Sequence, residues 1–176
     1  MVFKGYVTNL GKYNEGSLIG EWVEFPIEED EFEKVLERIG INENYEEYFF
    51  TDYTYVNCPN LKFEEHISHN WLNKIAEKIE SFVGDETEKF NAIVEAWGFD
   101  EILNDWDNFD LDNYYLYDEV YSNYDLGYYW IEDCGCYDLD SIGNLKHYID
   151  YEKFGRDVAL DNNGCFTDYG YIERLV

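Results

Sequence analysis

The amino-acid sequence predicts an α+β fold divided into three small domains. Three observations carry that prediction. Apolar residues make up 45% and aromatic residues 20% of the 176, enough for a real core. Short aromatic and β-branched runs stand toward both ends, and helical apolar stripes fill the middle. Only two prolines occur, and no Ser/Gly-rich run marks a long linker. The expected domains are α+β over 1–60, helical over 61–108 and α+β over 109–176. One continuous α+β domain is the alternative.

In the first segment, residues 3–10 and 22–25 suit strands, and Gly11, Asn14 and Gly16 between them are turn formers. Pro26 stands near a helix start, with Glu28, Glu29, Asp30 and Glu31 at the positive end of the helix dipole. Phe32, Val35, Leu36 and Ile39 follow helical spacing, and Gly40 supplies a stop. Residues 48–55 suit another strand. In the middle segment, Trp71, Leu72, Ile75, Ile79, Phe82 and Val83 mark one apolar face. Asp85 and Glu88 have the spacing of a capping box. Phe90, Ile93, Val94 and Trp97 repeat at i, i+3, i+4, i+7, Gly98 breaks the helix, and Phe99, Ile102, Leu103 and Trp106 repeat the spacing over 99–108. In the last segment, residues 114–117 suit a strand. Val120, Tyr121, Tyr124, Tyr128 and Ile131 form a helical stripe, and Ile142, Leu145, Ile149 and Phe154 another. Residues 165–176, with Gly170 near the middle, suit a hairpin.

Charge is the strongest functional signal. Asp and Glu number 40 against 12 Lys and Arg, for a net charge of −28. Residues 90–145 contain no Lys or Arg and fourteen carboxylates, half of that net charge. The same stretch is rich in Tyr, Trp, Phe, Ile and Leu, which disordered acidic tails lack. On the expected helices the apolar stripes leave Asp100, Glu101, Asp105, Asp107, Glu119, Asp125, Glu132 and Asp133 facing out. Asp110, Asp112 and Asp118 flank the strand between those helices, and Asp138 and Asp140 follow. Glu28, Glu29 and Glu33 add a second acidic group. Carboxylates three and four apart on a helix lie roughly 5–6 Å from one another. B-DNA carries one charge per about 1.7 Å of axis, so 28 net charges match at most roughly 48 Å of duplex. A folded surface of this kind competes with DNA for a Lys/Arg groove and is itself repelled by nucleic acid and anionic lipid. The bland alternative is a solvated acidic face, including halophilic adaptation. The Ile, Tyr, Phe and Asn load and the scarcity of Ala argue against the latter.

Other chemistry is poorly supported. No apolar run approaches the roughly 18 residues that span a membrane, and residues 1–6 lack the apolar region of a signal peptide. Cys58, Cys134, Cys136 and Cys165 are therefore expected as reduced thiols in a cytoplasm. Cys134 and Cys136 have one spacer, not the two of common zinc knuckles, and only His66, His69 and His147 accompany them. A calcium loop starting at Asp105 needs Gly and Glu where Asp110 and Leu116 stand. No sequence pattern selects a pair of carboxylates for glycoside hydrolysis, and no Gly-rich phosphate loop or nucleophile elbow occurs. The expectation is a protein with no enzymatic activity, no metal site and no cofactor.

Several patches resemble a known family. Asn9-Leu10-Gly11-Lys12-Tyr13-Asn14-Glu15-Gly16, then Leu18, Gly20, Trp22 and Pro26, resembles the opening of the ArdA antirestriction proteins. Tyr45-Glu46-Glu47-Tyr48 fits the next segment. Tyr148-Ile149-Asp150-Tyr151, with Phe154-Gly155-Arg156-Asp157, resembles the family's C-terminal signature. The resemblance implies an elongated, curved homodimer of three-domain chains that mimics bent B-DNA, is carried by mobile elements or phages, and fills the DNA groove of type I restriction-modification enzymes. It also implies that the region 114–140 contributes to the dimer or to the inhibitory surface. The alternative within this class is an inhibitor of another nucleic-acid-binding defence system, such as a CRISPR effector; outside it stands a divalent-ion-binding acidic protein. Tyr13, Asn14, Trp22, Tyr148, Gly155 and Arg156 are expected to mark the fold more than contacts, with Arg156 paired to a local carboxylate.

Overall fold

The computed structural model describes residues 1–175. Their backbone contacts group into two compact units, Met1–Thr87 and the remainder from Glu88. The fold is α+β, with strands and helices in each unit. The 61–108 stretch, expected as one helical domain, divides between the two units.

The first unit is built on a three-stranded antiparallel sheet. Strands β1 (Phe3–Asn9), β2 (Gly20–Phe25) and β3 (Tyr48–Tyr55) lie in the order β2-β1-β3. Pairing aligns Phe3 with Phe25 and with Tyr55, and a bulge falls between Tyr6 and Val7. One face buries Phe3, Val7, Val23, Phe25 and Phe50. The segment expected as a plain turn after β1 instead forms a short helix, α1 (Leu10–Asn14). Asn9 caps it by accepting from the Lys12 amide at 2.9 Å and ties it inward by donating to the Ile39 carbonyl at 3.2 Å. Gly11 lies so close to the Tyr45 ring that a Cβ would overlap it, and Gly16 at φ +85° follows the helix end.

Helix α2 (Glu29–Arg38) starts where the acidic run predicts and buries Phe32 and Val35. Gly40 at φ +83° follows its end. Helix α3 (His69–Glu80) is capped by Ser68 and buries Leu72, Ile75, Ala76 and Ile79. Trp71 and Val83, expected on that face, are exposed. The buried set already closes one i, i+3, i+4, i+7 stripe. Trp71 falls about 100° away from it, beneath the Lys74 ammonium at 4.8 Å, and Val83 lies beyond the helix end.

The second unit has an aromatic core and a second small sheet. Helices α4 (Glu86–Trp97) and α5 (Phe99–Asn104) are parted by Gly98 at φ +85°. At the start of α4 the carboxylate that reaches back is Glu86, accepting from the Val83 amide at 2.8 Å. Phe90 packs against Phe99, Trp106 and Phe109, the last two stacked at 5.7 Å. Strand β4 (Tyr114–Tyr117) joins the hairpin of β5 (Gly164–Thr167) and β6 (Gly170–Arg174) in the antiparallel order β4-β6-β5. The expected hairpin over 165–176 is found one residue earlier at its start and ends at Arg174, with Leu175 beyond the strand and Val176 outside the described residues.

Helix α6 (Asn123–Tyr128), continued by a π-helical turn through Asp133, crosses α7 (Tyr151–Asp161). Two glycines make this crossing. A Cβ on Gly127 would overlap the Tyr151 carbonyl oxygen, and one on Gly155 would overlap that of Asn123. The backbones therefore touch, and Leu126 packs with Tyr117, Val120 and Tyr171 against the sheet. Both stripes expected here are corrected. Tyr121, Tyr124 and Tyr128 face out, because the glycine contact fixes which side of α6 is inward; Tyr124 and Tyr128 pack on Tyr151. Ile142 and Leu145 stand exposed beside and within a 3-10 turn over 143–148, and the helix starts only after Asp150, whose carboxylate caps it.

Gly155→Ala is expected to destabilise the protein by about 3 kcal/mol or more, since the clash is with backbone that cannot rotate away. Leu160→Ala, at an exposed site on the same helix, should stay within about 0.5 kcal/mol. Urea unfolding of the two variants checks this. A second expectation concerns alkaline pH. Burial and the neighbouring Asp52 raise the Tyr55 phenol to about 12. Burial, then Glu173, raises Tyr171 to about 12, and the Glu132 hydrogen bond, then burial, raises Tyr151 to about 12. A phenol raised only in the folded state adds stability that is whole below its unfolded value of about 10 and is lost as pH climbs through the folded value. Stability should therefore fall between about pH 10 and 12, tracked by tyrosinate absorbance at 295 nm alongside ellipticity.

Candidate acidic interface

Of the sixteen carboxylates the sequence selects, fifteen are exposed. Asp125 is the exception. It is half-buried at the start of α6, where its carboxylate accepts from Ser122 Oγ at 2.7 Å and from the Tyr121 amide at 3.2 Å. Its role is to hold that helix start, so it leaves the candidate surface. The helix expected over 99–108 ends at Asn104. Only Asp100 and Glu101 project from α5; Asp105 caps its C-terminus and Asp107 lies in the turn beyond.

The other acids sit on the second unit in a fixed order. Asp110 accepts from the Asp112 amide at 3.0 Å and opens the short 3-10 turn that leads into β4. Asp118 and Glu119 follow β4; Glu132 and Asp133 close the π-helical turn; Asp138 and Asp140 lie in the exposed segment beyond. In the first unit, Glu28, Glu29 and Glu33 are exposed around the start of α2. Glu29 is anchored there. Its carboxylate bonds to His69 Nε2 at 2.9 Å, and His69 Nδ1 bonds to the Tyr48 hydroxyl at 2.9 Å.

The two units treat their carboxylates differently. Residues 1–87 hold 19 carboxylates against 7 Lys and Arg; residues 88–176 hold 21 against 5. In the first unit cations answer acids directly. Lys4 meets Glu24 at 2.6 Å, and Arg38 meets Glu21 at 2.7 Å and Glu31 at 3.6 Å. The Arg38 and Lys4 hydrogen bonds hold the Glu21 and Glu24 carboxyls below their ordinary values.

In the second unit neutral groups do much of this work. Buried Glu173 accepts from the Tyr117 hydroxyl and from Asn162 Nδ2, each at 2.9 Å. Glu152 accepts from Asn123 at 3.0 Å, Asp105 from Asn108 at 2.6 Å, and Glu132 from the Tyr151 hydroxyl. Neutral donors fix a carboxylate without cancelling its charge. Cations still answer acids at two places: Arg156 meets Asp157, and Arg174 bonds Glu101 at 2.9 Å while lying over Trp97 and Tyr114. The sequence signal for this division is the Asn and Tyr richness of 90–145.

Among the described residues, no group of three or more His, Cys, Asp or Glu side chains is arranged to hold a metal ion, and no helix is long and apolar enough to cross a membrane. Residues 5–173 match the antirestriction protein family ArdA. The chain belongs to the ArdA family. No match is found among the curated proteins. The ArdA resemblance noted in the sequence acquires physical causes. Asn9 and Gly11 build and seat α1 against Tyr45, and Gly155 lets α7 touch α6. Arg156 pairs with Asp157 at 3.2 Å at the surface, while Tyr148 is 84% exposed.

Like charges this dense oppose the folded state. Raising NaCl from about 0.01 to 0.15 M shortens the screening length from about 30 to 8 Å. The melting temperature should rise by on the order of a few degrees over that range, measured by differential scanning calorimetry at neutral pH. A fall would mean that the ion pairs of the first unit outweigh the repulsion.

Proposed function

We propose that this ArdA protein is a DNA mimic that occupies the DNA-binding groove of a type I restriction-modification enzyme and blocks its action. The observation that carries the proposal is the exposed carboxylate set within residues 100–140, a stretch with no Lys or Arg of its own, of which Glu101 bonds Arg174. The mimic surface comprises Asp100, Glu101, Asp105, Asp107, Asp110, Asp112, Asp118, Glu119, Glu132, Asp133, Asp138 and Asp140, with Glu28, Glu29 and Glu33 as a second group. A Lys/Arg groove that binds phosphates gains affinity by releasing counterions, and a protein of similar charge density exploits the same groove. The protein acts as a homodimer in the cytoplasm of the cell that houses the enzyme. It has no catalytic role there and does not itself bind nucleic acid.

The binding free energy is spread over many carboxylates, since an exposed ion pair is worth only about 0.2–1 kcal/mol. The test is displacement of a labelled duplex from a purified type I methyltransferase. Asp100→Asn, Asp118→Asn, Asp138→Asn or Asp140→Asn alone should change the inhibition constant by less than about threefold. All four together should weaken it by at least about tenfold, and moving from 50 to 200 mM salt should weaken the unaltered protein by a similar factor or more. Abolition by one of these substitutions in a protein that still folds, or salt-insensitive inhibition, would overturn the distributed-charge reading.

A further inference from the structure

Cys134 and Cys136 lie just past the π-helical turn that ends at Asp133, and nothing in the antirestriction reading uses them. Both are free thiols. Cys134 is half-buried and held: its amide bonds the Tyr129 carbonyl at 2.8 Å and its Sγ donates to the Trp130 carbonyl at 2.8 Å. Cys136 is exposed, and its Sγ lies 3.9 Å from the Cys134 carbonyl oxygen. The neighbouring Cys134 raises the Cys136 thiol above its ordinary value, so Cys136 reacts through a small thiolate fraction that grows with pH. Gly135 between them sits at φ +68° with open space around it, so the chain can fold back there. One spacer limits the separation of the two Cα atoms to at most about 7 Å, which spans the roughly 4.4–6.8 Å that a disulfide needs. The other two thiols are worse placed: Cys58 is buried and Cys165 is half-buried in β5.

We propose that Cys134 and Cys136 form a dithiol site that low-molecular-weight disulfides convert to an intramolecular disulfide. The exposed Cys136 thiolate attacks one sulfur of the small disulfide, whose S–S bond breaks and whose other half leaves as a thiol. Cys134 then attacks the Cys136 sulfur of the mixed disulfide and expels the second small thiol. One S–S bond forms and one breaks. The two protein thiols lose two electrons to the small disulfide, and their two protons end on the two released thiols. Closure takes the Cys134 donor away from the Trp130 carbonyl and pins the start of the segment that bears Asp138 and Asp140 to the end of the helix.

The test is titration of the full chain with oxidised glutathione, followed by intact mass and peptide mapping. The unaltered protein should lose the mass of two hydrogens, and its free thiols should fall from four to two. The bridge should map to the peptide containing 134–136, and dithiothreitol should restore all four thiols. Cys134→Ser should instead trap a stable glutathione adduct on Cys136. The proposal is overturned if the unaltered protein also ends as that adduct, if both thiols stay free, or if the bridge involves Cys58 or Cys165.

Discussion

Forty carboxylates against twelve lysines and arginines is the constraint under which this chain folds. Two exposed carboxylates about 5.5 Å apart repel by somewhat under about 1 kcal/mol in water, and less in salt. A fully buried Phe or Leu contributes about 1.5–3 kcal/mol, and an aromatic pair about 0.5–1.5 kcal/mol beyond its area. A few rings therefore offset a local group of like charges. The molecule is built accordingly. Phe3, Phe25 and Phe50 fill the first sheet's core, while Phe90, Phe99, Trp106 and Phe109 stand directly behind the acids of α5 and the turn that follows.

The two units solve the same problem in opposite ways. The first cancels charge where it arises, through Lys4, Lys12, Lys34 and Arg38. The second lacks cations over 90–145 and turns to hydroxyls and amides: Tyr117, Asn162, Asn123, Asn108, Tyr151 and Ser122. An exposed carboxylate so held keeps its full negative charge toward solvent. A duplex presents its phosphates in the same condition, fixed in place and uncancelled by the molecule that carries them.

Much of this was legible in the sequence because local signals are strong where backbone needs are local. Strands 48–55 and 114–117 coincide with β3 and β4, and Gly98 parts two helices as its position predicts. The failure on α6 has a definite physical cause. On α6 the tyrosines have helical spacing, but Gly127 decides the inward side, since the α7 backbone packs directly against it. A residue without a side chain carries no weight in an apolar pattern. The exposure of the selected carboxylates was legible residue by residue except at Asp125, whose neighbour Ser122 makes it part of a cap. The charge of that set could be counted from the sequence, while a donor that steadies a member, such as the Tyr151 hydroxyl on Glu132, comes from another helix that only the fold brings near.

Steadied carboxylates matter to the proposed role through entropy. Immobilising a long side chain at an interface costs about 0.5–1.5 kcal/mol, comparable to the most that an exposed ion pair returns. A surface of freely rotating Glu and Asp would lose much of its Coulomb gain on docking into a basic groove. Asp105 held by Asn108 and Glu132 held by Tyr151 have met part of that cost during folding. DNA that must bend to fit its enzyme costs a further 1–6 kcal/mol or so. In this reading the competitor succeeds with weaker individual contacts than phosphate makes, because folding has already ordered the groups that make them.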